Sequence, residues 1–145
     1  MENQLYFDTC IWLNLFKKEG DLLKGESYWK IAEDLIKRAM FSQDFEIVYS
    51  GIVLKEMKYK LNDDFIFKEK LKFFKKEFRF VKTTNEDYSL ARKLESEHNY
   101  RLSFYDFLHI SLCKRMEFTL VTRDKDLMVL SKGLITVKKP EELLT

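Results

Sequence analysis

The sequence predicts an α/β fold in three layers: a central, mostly parallel sheet of four to five strands with helices on both faces. Short apolar runs rich in β-branched and aromatic residues alternate with longer stretches of helical periodicity along the whole chain. Strands separated by helical stretches pair in parallel through crossovers, and these are right-handed almost without exception. With 145 residues and 46% hydrophobic content, the chain suits one domain, residues 1–145, with a core of its own. Four Gly and one Pro, without repeats or low-complexity tracts, offer no linker.

Asn3 to Asp8 reads as a short buried strand, and Thr9 to Lys17 as the helix that follows it. From Glu26 to Phe41, Tyr28, Ala32, Leu35, Ile36, Ala39 and Met40 recur at helical spacing and mark one face of an amphipathic helix. Phe45 to Ser50 is the second strand. Gly51 to Leu61 carries Val53, Leu54, Met57 and Leu61 on one side, and Phe67, Leu71, Phe74 and Phe78 repeat the pattern, so two helices meet near Asn62-Asp63. Phe78 to Lys82 is the third strand, and Thr84 with Asp87 three residues later predicts a capping box opening the next helix. Ser103 to Met116 is the most apolar helix, Phe118 to Thr122 a strand, Lys125 to Ser131 a short helix, and Leu134 to Val137 the last strand.

Composition excludes several function classes. The net charge of +2 sums 26 basic and 24 acidic residues, the pattern of a solvated surface, which does not by itself demand nucleic acid. Cys10 and Cys113 lie far apart without metal-type spacing, so reduced thiols are expected, not a disulfide or a zinc site. Neither a signal peptide nor a membrane span is recognisable, and a cytoplasmic location is expected. His98 and His109, on separate helices, form no catalytic pair with a cysteine, and His109 reads as a structural neighbour of the helix core.

The informative signal is acidic. Asp8 closes the first strand and Asp124 lies two residues past the apolar part of the fourth, so both carboxylates are expected at the edge where α/β sheets bind ligands. Glu56, one residue before Met57, sits about 100° from it around the helix, at the border of the buried face. Asp106 interrupts an apolar stretch, so its charge requires a partner, and a cation is the economical one. Two carboxylates about 4 Å apart repel by roughly 4 kcal/mol at an effective dielectric near 20. Mg2+ or Mn2+, which prefer oxygen ligands, would offset that repulsion and support phosphodiester hydrolysis without a covalent intermediate.

Each acid also has a structural reading. Asp106 is the N3 partner of a cap at Ser103, Glu56 a partner of Lys60 on a solvated helix face, and Asp8 and Asp124 or Asp126 helix caps. Taken singly, these readings balance the functional ones; the joint placement tips the case.

The order of these pieces resembles the PIN-domain family: Tyr6-Phe-Asp8-Thr9, Ser50 with Val53-Leu-Lys-Glu56, Tyr105-Asp106-Phe-Leu-His-Ile, and Leu120-Val-Thr122-Arg-Asp124. The resemblance implies a PIN-like fold and a metal-dependent endoribonuclease. Asp8, Glu56, Asp106 and Asp124 would be ligands to Mg2+ or Mn2+ or to its water shell, Thr122 a supporting hydroxyl, and Asp126 a fifth acid. It implies RNA as substrate and, for the VapC-type toxins among small PIN proteins, an antitoxin partner and a homodimer. The stretch from Lys17 to Tyr28 is longer and more charged than a minimal toxin loop.

Arg123 and Lys125 beside Asp124, and Lys55, Lys58 and Lys60 around Glu56, are cations available to phosphates. Phe65 to Phe80 suits core packing or an apolar docking strip. Tyr49, Tyr59 and Tyr105 receive no base-stacking role. A phosphatase of the haloacid dehalogenase type needs a second Asp where Cys10 stands, and a receiver-like signalling domain needs an Asp ending strand three, which here ends near Lys82-Thr83. The remaining alternatives are a non-catalytic PIN-like module binding RNA or protein, and an RNA-processing nuclease without an antitoxin.

Overall fold

A computed structural model describes residues 3–144. Strands β1 (Asn3–Phe7), β2 (Phe45–Ser50), β3 (Arg79–Val81), β4 (Thr119–Val121) and β5 (Val137–Lys138) form one sheet in the order β3-β2-β1-β4-β5, with all pairings parallel. Helices α1 (Thr9–Lys17), α2 (Tyr28–Ser42), α3 (Gly51–Leu61), α4 (Asp64–Glu77), α5 (Asn85–Glu97), α6 (Phe104–Met116) and α7 (Lys125–Ser131) fill the connections, and a 3-10 turn follows at Pro140–Leu143. The expected three-layer α/β fold is present, with a wholly parallel sheet.

The topology follows from handedness. From β1 the chain steps outward to β2 and β3, and right-handed crossovers place α1 to α4 on one face; it then returns across β1 to β4 and β5, placing α5 to α7 on the other. The helix contacts respect that division: α1 touches α2 and α3, α3 touches α4, and α5 packs on α6. Central β1 is therefore covered on both sides, which is why Leu5, Tyr6 and Phe7 are all apolar or aromatic and fully buried. Phe7 meets Trp12 of α1 at 5.0 Å between ring centroids, whereas Tyr6 points to the opposite layer, 5.4 Å from His109 of α6.

On the α1 side the core is an aromatic cluster. Phe74 of α4 is fully buried, edge-on to Trp12 at 4.5 Å and tilted against Tyr49 at 5.0 Å. The Phe-rich region thus serves packing through Phe67, Phe73, Phe74 and Phe78, while Phe65 and Phe80 stay exposed. Among the described residues, no helix is long and apolar enough to cross a membrane, and Cys10 and Cys113 are free thiols.

Most element boundaries agree with the sequence reading to within two residues, but the last strand lies further along. Leu134 and Ile135 were expected to open it; instead both amides donate to Ser131 O at the end of α7, and Gly133 sits at φ +86°. The chain is still turning off the helix there, and pairing with β4 begins at Thr136 O and runs through Val137 and Lys138.

The capping box forms as expected. Thr84 Oγ1 accepts from the Asp87 amide and Asp87 Oδ2 accepts from the Thr84 amide. Asp87 is 1% exposed, and its charge is met by Arg115 through two hydrogen bonds of 2.8 and 3.0 Å. Arg115→Ala leaves that carboxylate buried without its partner, so the melting free energy measured by urea titration should fall by about 3 kcal/mol.

Candidate functional site

At β1 the strand order reverses, since β2 lies on one side and the returning β4 on the other, and the carboxyl ends of these strands flank a crevice. The amide of Asp8 still donates to Val121 O at 2.9 Å, so the β1–β4 ladder carries the residue to the sheet edge. Asp8 occupies the N-cap position of α1, yet its carboxylate makes no capping bond. Its Oδ2 instead accepts from Thr122 Oγ1 at 2.8 Å and from the Cys10 thiol at 3.2 Å. Thr122, fully buried, also accepts from the Asp124 amide at 3.1 Å, which ties the ends of the two strands together. Asp124 caps α7, its Oδ1 accepting from Leu127 N at 3.1 Å.

Glu56 comes in on α3. Ser50 ends β2 and caps that helix, fixing its direction. Glu56 Oε1 lies 2.7 Å from both the Thr9 hydroxyl, which donates to it, and His109 Nε2, so no bond to Lys60 is needed to hold it. Burial alone would push the Glu56 carboxyl up, but the hydrogen bond and charge of His109, the Thr9 hydroxyl and the charge of Lys60 together outweigh it and the net shift is down. His109 is the converse: burial disfavours its charge, but Glu56, Asp8 and Asp106 together raise its pKa.

Asp106 lies in the first turn of α6, where its amide donates to Ser103 Oγ at 3.2 Å. Its carboxyl is pushed up, first by burial and then by the negative charge of Asp8. Unlike Asp87, it has no arginine. Among the described residues, no Lys or Arg forms an ion pair with Asp8, Glu56, Asp106 or Asp124.

These four acids line a single cleft of about 230 Å³, together with Thr9, Cys10, Leu13, Lys60 and Ser103. A larger hollow of about 410 Å³ beside β2 and β3, lined by Phe45, Glu46, Glu77 and Arg79 among others, gathers no comparable set. Asp126 is exposed and does not line the cleft. Among the described residues, no three His, Cys, Asp or Glu side chains already enclose a position for a metal ion. The acids share a cleft without forming a closed cage. Oxygen donors that no Lys or Arg pairs directly, spaced around a small void, suit a hard divalent cation that keeps part of its own water shell.

Of the basic residues weighed from sequence, Lys60 reaches the cleft. Arg123 is occupied by Glu141 at 3.0 Å and by the ring of Tyr28 at 3.9 Å. Tyr49 is in the core, and Tyr59 is exposed. The residues that sequence reasoning undervalued are His109, Tyr6 and Thr9, which form the hydrogen-bonded surround of Glu56. One signal was available: His109 falls three residues after Asp106, hence on the same face of α6.

The PIN domain family model matches residues 5–132. No curated relative matches. Among solved structures, VapBC from Salmonella typhimurium bound to DNA superposes with TM-score 0.70 at 12% identity, over 97% of this chain and 99% of that one. VapBC2 from Rickettsia felis bound to a promoter DNA fragment gives 0.67 at 20% identity, over 94% and 98%. VapC20 from Mycobacterium tuberculosis, a toxin that cleaves the sarcin-ricin loop, gives 0.64 at 18% identity, over 92% and 98%. The match spans most of the sequence and the fold agrees from end to end: the chain belongs to the PIN domain family.

Proposed function

We propose that this chain is a metal-dependent endoribonuclease, a single domain that hydrolyses RNA phosphodiester bonds with Mg2+ or Mn2+ and serves as the toxin of a toxin–antitoxin pair. The observation that carries the reading is the convergence of Asp8, Glu56, Asp106 and Asp124, from four separate elements, on one cleft at the strand-order reversal. A bound divalent ion would supply neutralisation of phosphate charge and a more acidic attacking water. Asp8, Glu56, Asp106 and Asp124 would hold the ion or its water shell. Thr122 would orient Asp8 through its 2.8 Å hydrogen bond. Lys60, at the rim, would draw the phosphate backbone in. Asp126, exposed in the first turn of α7, would act only on the outer water. The toxin role and an antitoxin partner rest on the likeness to the VapBC assemblies, and a homodimer and a cytoplasmic setting belong to the same proposal.

Mn2+-supported cleavage of a single-stranded RNA oligonucleotide should fall by about 100-fold or more in Asp8→Asn and Asp106→Asn, with the circular dichroism spectrum unchanged. Chelation should abolish wild-type cleavage and added Mn2+ restore it. Equal cleavage by the folded variants and the wild type removes the assignment. Expression of the wild type, but not of Asp8→Asn, should arrest growth, and a protein encoded by a short adjacent reading frame should relieve the arrest.

The same acids should cost stability when no cation is present. Asp106→Asn removes a charge that burial and Asp8 disfavour, so at pH 7 without metal this variant should melt later than the wild type, by up to about 1 kcal/mol of stability. Adding Mn2+ should close that gap by stabilising the wild type alone.

A further inference from the structure

We propose that His109 is a positioning residue that fixes the carboxylate of Glu56, itself held as the Nε2–H tautomer by a one-way chain of hydrogen bonds from the start of α3. The proposal rests on the reading of Glu56 as part of the metal cleft. The chain links four elements. The Val53 amide donates to Ser50 Oγ at 3.4 Å, Ser50 Oγ lies 2.7 Å from the Tyr6 hydroxyl, and that hydroxyl lies 2.6 Å from His109 Nδ1. His109 Nε2 lies 2.7 Å from Glu56 Oε1. Ser50, Tyr6 and His109 are all fully buried, so no solvent can substitute for a missing partner.

The direction of the chain follows from donor and acceptor capacity. An ionised carboxylate only accepts, so the ring nitrogen facing Glu56 carries the hydrogen. In the neutral ring Nδ1 then accepts, and the group in front of it is the Tyr6 hydroxyl, which donates. The Tyr6 oxygen accepts from Ser50, whose oxygen accepts the Val53 amide. Every buried hydrogen in this sequence has an acceptor, and each bond polarises the next. The opposite tautomer would set two lone pairs against each other across 2.7 Å.

The consequence for Glu56 is geometric. Oε1 receives two donors, the His109 ring and the Thr9 hydroxyl, each at 2.7 Å. One oxygen is thereby pinned at a residue that lines the cleft, which fixes the carboxylate as a whole. A satisfied core histidine would need only some acceptor; here the acceptor is a residue of the cleft, and the anchor behind the ring is built from two other strands.

Two measurements test this on the intact chain. In 15N-histidine-labelled wild type without metal, recorded on the alkaline side of the ring's own titration, His109 should be the Nε2–H tautomer; the Nδ1–H tautomer overturns the proposal. Mn2+ binding, followed by titration calorimetry alongside melting temperature, should weaken by about 10- to 100-fold in His109→Leu. His109→Gln, whose amide N–H can take the place of Nε2–H, should stay within about threefold of the wild type. A folded His109→Leu that binds Mn2+ like the wild type overturns it. If His109→Leu does not fold, Tyr6→Phe decides: unchanged tautomer and unchanged affinity overturn it, and a loss of either supports it. Failure of the wild type itself to bind Mn2+ removes the metal reading instead, and the tautomer still judges the chain.

Discussion

Carboxylates gathered at the carboxyl ends of β1 and β4 repel one another, and the surrounding structure is organised by how that repulsion is held. Elsewhere the molecule handles a buried acid in the ordinary way: Asp87 is met by a two-pronged Arg115 and its charge is spent on joining α5 to α6. In the cleft the protein supplies mostly neutral donors. Hydroxyls from Thr9 and Thr122 and a thiol from Cys10 orient the acids without cancelling them, and His109 is the one group among these donors whose proton the acids themselves favour. Neutral donors fix direction while leaving negative potential in place, as the proposed cation site would require.

The two faces of the sheet divide the labour. The α1 face is filled by a packed aromatic layer of Trp12, Phe74 and Tyr49, with the partly buried Phe16 and Phe78 against them. The α6 face carries the polar chain through Tyr6 and His109, with the ring of Phe118 stacked on Tyr6. Alternation along one strand achieves this, because Phe7 and Tyr6 are neighbours in sequence and face opposite layers.

The fold was largely legible because its signals are local: helical periodicity around Leu35 and Ile36, apolar runs such as Leu5-Tyr6-Phe7, and the Thr84–Asp87 box all act within a few residues. The start of β5 was not, because it depends on how α7 unwinds at Gly133 and on where β4 lies, which are tertiary facts. The convergence of the cleft acids could be expected from Asp8 and Asp124 at strand ends, Glu56 at the border of a buried helix face and Asp106 within an apolar stretch. For His109 the spacing from Asp106 showed only a shared helix face; its hydrogen-bond partners could not be read, because they are 103 and 53 residues away in the chain.

The sheet's rims have a consequence for how copies of this molecule can meet. β3 is three residues long and begins with Arg79, and β5 is two residues long and ends with Lys138. Open backbone groups on such brief, cationic margins give an incoming strand little to zip onto, so the molecule is guarded against fibre-like growth by strand addition. Any self-association is thereby steered toward helical surfaces, where side chains and not main-chain ladders choose the partner.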